Sequence, residues 1–160
     1  MALFIEMYPK HLEALGIITV RWAHVDRVMY STLKDVFGMA DEAEKLRECR
    51  AGQSRLEYFI ARVKAAQMHD ADRAKLVDAA SVLTVKMTER NHIIHGQYGV
   101  MMGADDLLAP SYSDIGVSKS DKIDRREAAL VTVEHLMAHA DEVREASKPI
   151  SSYLYARRDS

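Results

Sequence analysis

The stretch ADRAKLVDAASVLTVKMTERNHIIH, residues 71–95, decides the fold that the sequence predicts. Its main apolar residues recur at steps of three, four and seven, the spacing that lines one face of a helix: Leu76, Ala80, Leu83, Met87 and Ile94. Gly96 follows directly and is suited to end a helix. The stretch therefore predicts one long amphipathic helix from about Ala71 to His95, with a face that must pack against other helices.

Two further helical elements are predicted before this stretch. The first runs from about Lys10 to Val36, with Trp22 as a core anchor and Gly38 as a left-handed cap. The second begins with a charged segment, 41–50, is interrupted or kinked at Gly52 and continues to about residue 68.

A last helix is predicted after a long connection. Between residues 97 and 120 the apolar residues show no helical periodicity, and a short hairpin is expected at 103–106. The last helix is expected to begin at Ser120 or Asp121 and to end before Lys148-Pro149, with an inner face of Ile123, Leu130, Val133, Met137 and Ala140. The sequence thus predicts an all-α fold, a helical bundle of about four long helices with one long irregular loop before the last helix.

Composition places the chain among ordinary globular proteins. Its 160 residues suit a single domain, 1–160, and the net charge of −2 provides no general attraction for nucleic acid. The single cysteine, Cys49, and the lack of a signal peptide or a bilayer-length apolar run predict a soluble, cytoplasmic protein without membrane contact. No cofactor and no metal site are expected.

Polar residues gather near the end of the 71–95 helix. Arg90 falls on the otherwise apolar stripe, where a guanidinium must find an acceptor or face a cleft. A neighbouring line of uncharged polar groups consists of Thr84, Thr88, Asn91 and His95. His95 sits in the last turn, where the helix dipole favours the protonated imidazole. A cation, an orienting amide and a titratable acid or base are together suited to metal-free phosphodiester chemistry.

The run Arg90-Asn91-His92-Ile93-Ile94-His95 resembles the signature of the HEPN superfamily, in which four to six residues stand between an arginine and a histidine and the first of them is polar. The resemblance implies an all-α homodimer in which two motifs form one RNA-cleaving site. It also implies catalytic roles for Arg90, Asn91 and His95, and a setting such as a toxin–antitoxin or defence system with a protein partner such as an antitoxin.

Several alternatives stay open at this stage. Arg62 and His69 also satisfy the bare spacing, and Arg90 could instead pair with a carboxylate such as Asp26 and close the bundle. Members of the family without catalysis serve as dimeric scaffold or interaction modules. A metalloprotein using His135 and His139, one helical turn apart, is a lesser alternative, because these residues are predicted on a solvated face without a third ligand.

Overall fold

Helix α1 (Pro9–Ser31) is the first element that the computed structural model describes, and it continues into a π-helical turn, Thr32–Val36. The structure describes residues 9–95, 97–102, 108–113, 115–117, 123–125, 129–130 and 132–158, with side chains over 9–94 and 132–158. The amide of Phe37 donates to the carbonyl of Thr32 at 3.1 Å, which closes the wider π turn, and Gly38 follows at φ +66°. With this positive φ, Gly38 has the left-handed conformation of the helix cap that the sequence predicted.

Helices α2 (Ala40–Glu48) and α3 (Gly52–Ala65) form the second predicted element, which breaks just before Gly52. Glu42 on α2 joins the two helices, because its carboxylate accepts hydrogen bonds from Tyr58 at 2.5 Å and Arg62 at 2.9 Å on α3. Together with the hydrogen bond from Lys45, these contacts lower the pKa of Glu42 to about 2.

Helix α4 (Asp70–His95) confirms the predicted span of the 71–95 helix almost to the residue. Its buried face contains Leu76, Ala79, Ala80, Leu83, Met87 and Ile93. The start of α3 lies close against this face, since a Cβ built on Gly52 would lie 2.7 Å from Sδ of Met87. The glycine therefore leaves room for the end of the Met87 side chain between α3 and α4.

Short strands occupy the connection after α4. Strand β1 (Gln97–Met102) pairs antiparallel with β2 (Leu108–Ser113), which also pairs with β5 (Ala129–Leu130). Strands β3 (Ile115–Val117) and β4 (Ile123–Arg125) form a separate antiparallel pair. Strands β1 and β2 flank the predicted turn at 103–106, although residues 103–107 themselves lie outside the described part of the chain.

Helix α5 (Val133–Arg158) differs from its prediction at both ends. The predicted start at Ser120 or Asp121 is wrong: Thr132 caps the helix, its hydroxyl accepting from the amide of His135 at 3.1 Å. The predicted stop at Lys148-Pro149 is also wrong, since Pro149 lies inside the helix. Buried Ile150 and Leu154 extend the apolar face past the proline, and their burial offsets the lost backbone hydrogen bond.

The helices form an all-α bundle around one core, as predicted. Helix α1 has its most extensive contacts with α5, and α4 packs against both α3 and α5. Trp22, only 4% exposed, lies in this core and confirms its predicted role as an anchor. None of the described helices is long and apolar enough to cross a membrane.

Candidate functional site

Arg90 lies near the end of α4, half-buried, one turn beyond core residue Met87. Its Nη1 donates to Oδ1 of Asn91 at 3.2 Å. Its Nε is buried and has no hydrogen-bond partner among the described residues, and no carboxylate of that part of the chain forms an ion pair with the guanidinium. The side chain therefore presents a positive charge that the described surroundings position but do not neutralise.

Asp26 is the carboxylate that the sequence suggested as a structural partner for Arg90. The structure joins it instead to Arg55 on α3, whose Nη1 lies 2.6 Å from Oδ2 of Asp26. Burial raises the pKa of Asp26, and the charges of Arg55 and, more weakly, Arg90 oppose that rise. The charge of Arg90 therefore influences Asp26 through space, but Arg90 does not form an ion pair with it.

The predicted polar line follows the side of α4 next to its buried face. Thr84 and Asn91 are half-buried, and Thr88 is exposed. The hydroxyl of Thr84 is occupied, because it donates to the carbonyl of Ala80 at 2.9 Å. His95 is the last residue of α4, and its side chain lies outside the described part of the chain. The structure thus brings Arg90 and Asn91 together, while the placement of the His95 imidazole stays a prediction.

The second match to the bare spacing, Arg62 and His69, has a different environment. Arg62 is bound to Glu42 at 2.9 Å, and its guanidinium lies 5.3 Å from the ring centroid of Tyr58. His69 is exposed in the connection between α3 and α4. Arg62 thus has the carboxylate that Arg90 lacks among the described residues, and it serves to join α2 to α3.

His139 is buried on α5, which corrects its predicted place on a solvated face. Only 3% of it is exposed, whereas His135 one turn earlier is exposed. The indole of Trp22 donates to Nε2 of His139 at 3.5 Å, and Nδ1 lies 3.3 Å from Oε2 of Glu89. Since an indole only donates, Nε2 is the acceptor and Nδ1 carries the proton that faces Glu89.

Glu89 and Lys86 extend this network from the core to the surface between α4 and α5. Lys86 lies 2.9 Å from Glu89 and 2.5 Å from Glu142. Burial raises the pKa of Glu89, but the hydrogen bonds of Lys86 and His139 outweigh that effect and leave the pKa lowered. Sequence periodicity did not reveal the network, because its members lie on different helices and only the packing of α4 on α5 joins them.

Metal ligation by the His135 and His139 pair finds little support in this geometry. Both ring nitrogens of His139 already have protein partners, and its ring is buried whereas His135 is exposed. Within the residues that the structure describes, no group of three or more His, Cys, Asp or Glu side chains is placed to hold a metal ion.

Comparisons with protein-family models, curated proteins and solved structures found no match to the chain. The fold and the site define it as an all-α helical bundle with a half-buried arginine held by a neighbouring amide near the end of a long helix.

Proposed function

We propose that the chain is an RNA-binding, metal-independent endoribonuclease domain of the HEPN type, which acts as a homodimer. The observation that carries the proposal is the environment of the Arg90 side chain. Its guanidinium is half-buried, is oriented by Asn91 and has no carboxylate partner in the described part of the chain, because Asp26 is bound to Arg55. A preorganised cation of this kind is suited to a phosphate group and to the charge that develops on it during cleavage.

The proposed reaction is a transfer within the RNA strand. The ribose 2′-hydroxyl loses its proton and attacks the adjacent phosphorus, so that an O2′–P bond forms while the P–O5′ bond breaks. His95 serves as the acid or base, Arg90 stabilises the phosphorane, and Asn91 holds the guanidinium in place. The products are a 2′,3′-cyclic phosphate and a 5′-hydroxyl end, so neither an added water nor a metal is needed in this step.

Cleavage of a labelled single-stranded RNA in the presence of EDTA tests the proposal. Arg90→Ala and His95→Ala should each reduce the rate by at least roughly 100-fold, the scale of losing a transition-state donor or a general acid–base group. His69→Ala is the matched control, because His69 belongs to the other sequence match and is exposed. Undiminished cleavage in either motif variant, or 3′-phosphate ends formed without a cyclic intermediate, would refute the proposed roles.

A catalytically inactive dimeric scaffold is the second candidate function. It is favoured by Val82 and Val85, which are 49% and 62% exposed, lie one turn apart on α4 and place apolar surface on its solvent side. Under this alternative the protein cleaves no RNA at any concentration, while Val85→Asp weakens self-association in sedimentation measurements. Cleavage that disappears in the Arg90 variant would exclude it.

A further inference from the structure

A pocket of about 300 Å³ opens where α1, α2 and α3 meet. Its lining contains Asp26, Arg27, Tyr30, Leu46, Arg47 and Arg55. The volume is at the lower end of the range for small-molecule sites. No motif residue with a described side chain, 90–94, belongs to this lining, so the pocket is distinct from Arg90 and Asn91 although Asp26 lies within electrostatic range of Arg90.

Positive charge dominates the described part of the lining, which contains three arginines and one carboxylate. Arg55 is fixed in place: its Nη1 binds Asp26 at 2.6 Å and its Nε donates to the carbonyl of Cys49 at 2.9 Å. The exposed Arg27 has no hydrogen bond or ion pair to any other described residue. A guanidinium has five N–H donors, so both side chains retain donors for an anion.

Tyr30 and Arg47 add flat surfaces to this charged pocket. The guanidinium of Arg47 lies 4.0 Å from the ring centroid of Tyr30, within stacking distance. The phenol of Tyr30 donates to Oε1 of Glu44 at 2.5 Å, a hydrogen bond that lowers the pKa of Glu44 and restrains the ring. Arg47 also lies 3.6 Å from Glu44, but both side chains are more than half exposed, so this ion pair is weak.

We propose that this pocket binds a nucleoside phosphate. The phosphate is held by Arg27, Arg47 and Arg55, and the base stacks on an outer face of the stacked Tyr30–Arg47 pair, because bases stack on aromatic rings and on guanidinium planes alike. The same unit has two sources, a free mononucleotide or one nucleotide of an RNA strand. The inference goes beyond the proposed function, since it concerns other residues and requires no cleavage.

Titration calorimetry with adenosine 5′-monophosphate tests the inference on the full chain. Arg27→Ala and Arg47→Ala should each weaken binding roughly 10- to 100-fold, the effect of losing a charge-assisted hydrogen bond. Arg47→Lys should restore only part of the affinity, because lysine keeps the charge and loses the plane. Tyr30→Phe should bind nearly as well as the unaltered protein, since it keeps the ring.

Arg144→Ala is the matched control, because Arg144 is exposed on α5, is paired with Asp141 and Glu145, and does not line the pocket. A parallel titration with a non-cleavable 2′-O-methyl RNA oligomer identifies the source. Weaker RNA binding in the Arg27 and Arg47 variants identifies a strand nucleotide, whereas an effect on the mononucleotide alone identifies a free one.

The inference is overturned if the Arg27 and Arg47 variants bind both probes as tightly as the Arg144 variant does. It is also overturned if neither probe binds the unaltered protein at millimolar concentration. Arg90→Ala distinguishes this result from failure of the proposed function, because that variant should lose cleavage and retain binding of the mononucleotide.

Discussion

His139 connects the core to the surface network, and its charge state affects folding. Burial lowers its pKa from the ordinary value of 6.5, and the nearby Lys86 charge acts in the same direction, while Glu89 and Glu142 partly oppose the shift. The neutral ring, which accepts from Trp22 and donates to Glu89, is thus the form that the fold prefers.

Stability should therefore fall as the solution becomes mildly acidic. In the unfolded chain His139 takes up a proton near pH 6.5, whereas in the folded chain its lowered pKa keeps it neutral to a lower pH. The contribution of His139 to the free energy of unfolding is therefore fully present above pH 6.5 and declines below it. The slope from this one group is at most about 1.4 kcal/mol per pH unit. Urea unfolding between pH 7.5 and 5.5 measures the slope.

His139→Gln should flatten that pH dependence, since glutamine accepts a hydrogen bond without titrating. His135→Gln, at an exposed position one turn earlier, should leave the slope unchanged. Equal slopes in the unaltered protein and the His139 variant would show that another group controls the acid response.

Individual residues differed in how well the sequence predicted them. The core position of Trp22 and the cap role of Gly38 were predictable from local pattern. A large apolar side chain on the apolar face of a helix is usually buried, and a glycine directly after a helix usually caps it. The burial of His139 did not follow. The predicted inner face of the last helix included Leu130, which lies in a strand, and this choice rotated the assumed face away from Leu136 and His139.

At the scale of elements, two helical glycines provide opposite tests of packing. Gly52 begins α3 against Met87, whereas a Cβ on the exposed Gly16 in α1 meets nothing within 4 Å. Gly16→Ala should stabilise the protein by about 0.5 to 1 kcal/mol through helix propensity. Gly52→Val should destabilise it by about 1 to 3 kcal/mol, because the added atoms overpack the contact with Met87.

Thermal and urea unfolding of the two glycine variants measure this contrast. A stabilising Gly52→Val substitution would mean that Met87 moves aside freely and that the room left by the glycine is not required. In that case the break between α2 and α3 would be the remaining structural reason for a glycine at position 52.

Pro149 provides a second prediction for an element. It is exposed and lies within α5, where it deprives the carbonyl of Glu145 of its helical hydrogen-bond donor. Pro149→Ala should therefore stabilise the protein by about 1 to 3 kcal/mol. Ser152→Ala, exposed in the same helix, controls for propensity and should change stability by less than about 0.5 kcal/mol. An unchanged midpoint in the proline variant would show that α5 is already bent to fit.

The errors in predicting α5 have a physical cause. A proline ordinarily ends a helix, but that rule considers only backbone hydrogen bonds, and here the burial of Ile150 and Leu154 outweighs the loss. The start was misplaced because Ile123 and Leu130 fit a helical spacing as well as a strand, and strand pairing depends on partners distant in sequence.

At the scale of the whole molecule, the proposed site requires two chains. If both motifs form one site, a dimer with one Arg90→Ala chain is inactive. A mixture of equal parts unaltered and variant chains, equilibrated to exchange subunits, should then retain roughly a quarter of the activity of an all-active sample. Retention of one half would indicate that each chain cleaves independently. Mixing with His69→Ala chains should leave activity at its full value.

The chain contains one tryptophan, and the contact between Trp22 and His139 makes it an optical reporter. The two ring centroids lie 6.4 Å apart, and a protonated imidazole quenches the emission of a neighbouring indole. Fluorescence should therefore dim when His139 gains a proton in the folded state, and His139→Gln should abolish that dimming. The protein thus carries a built-in, label-free signal for the packing of α1 against α5, readable while RNA, nucleotides or a second subunit are added.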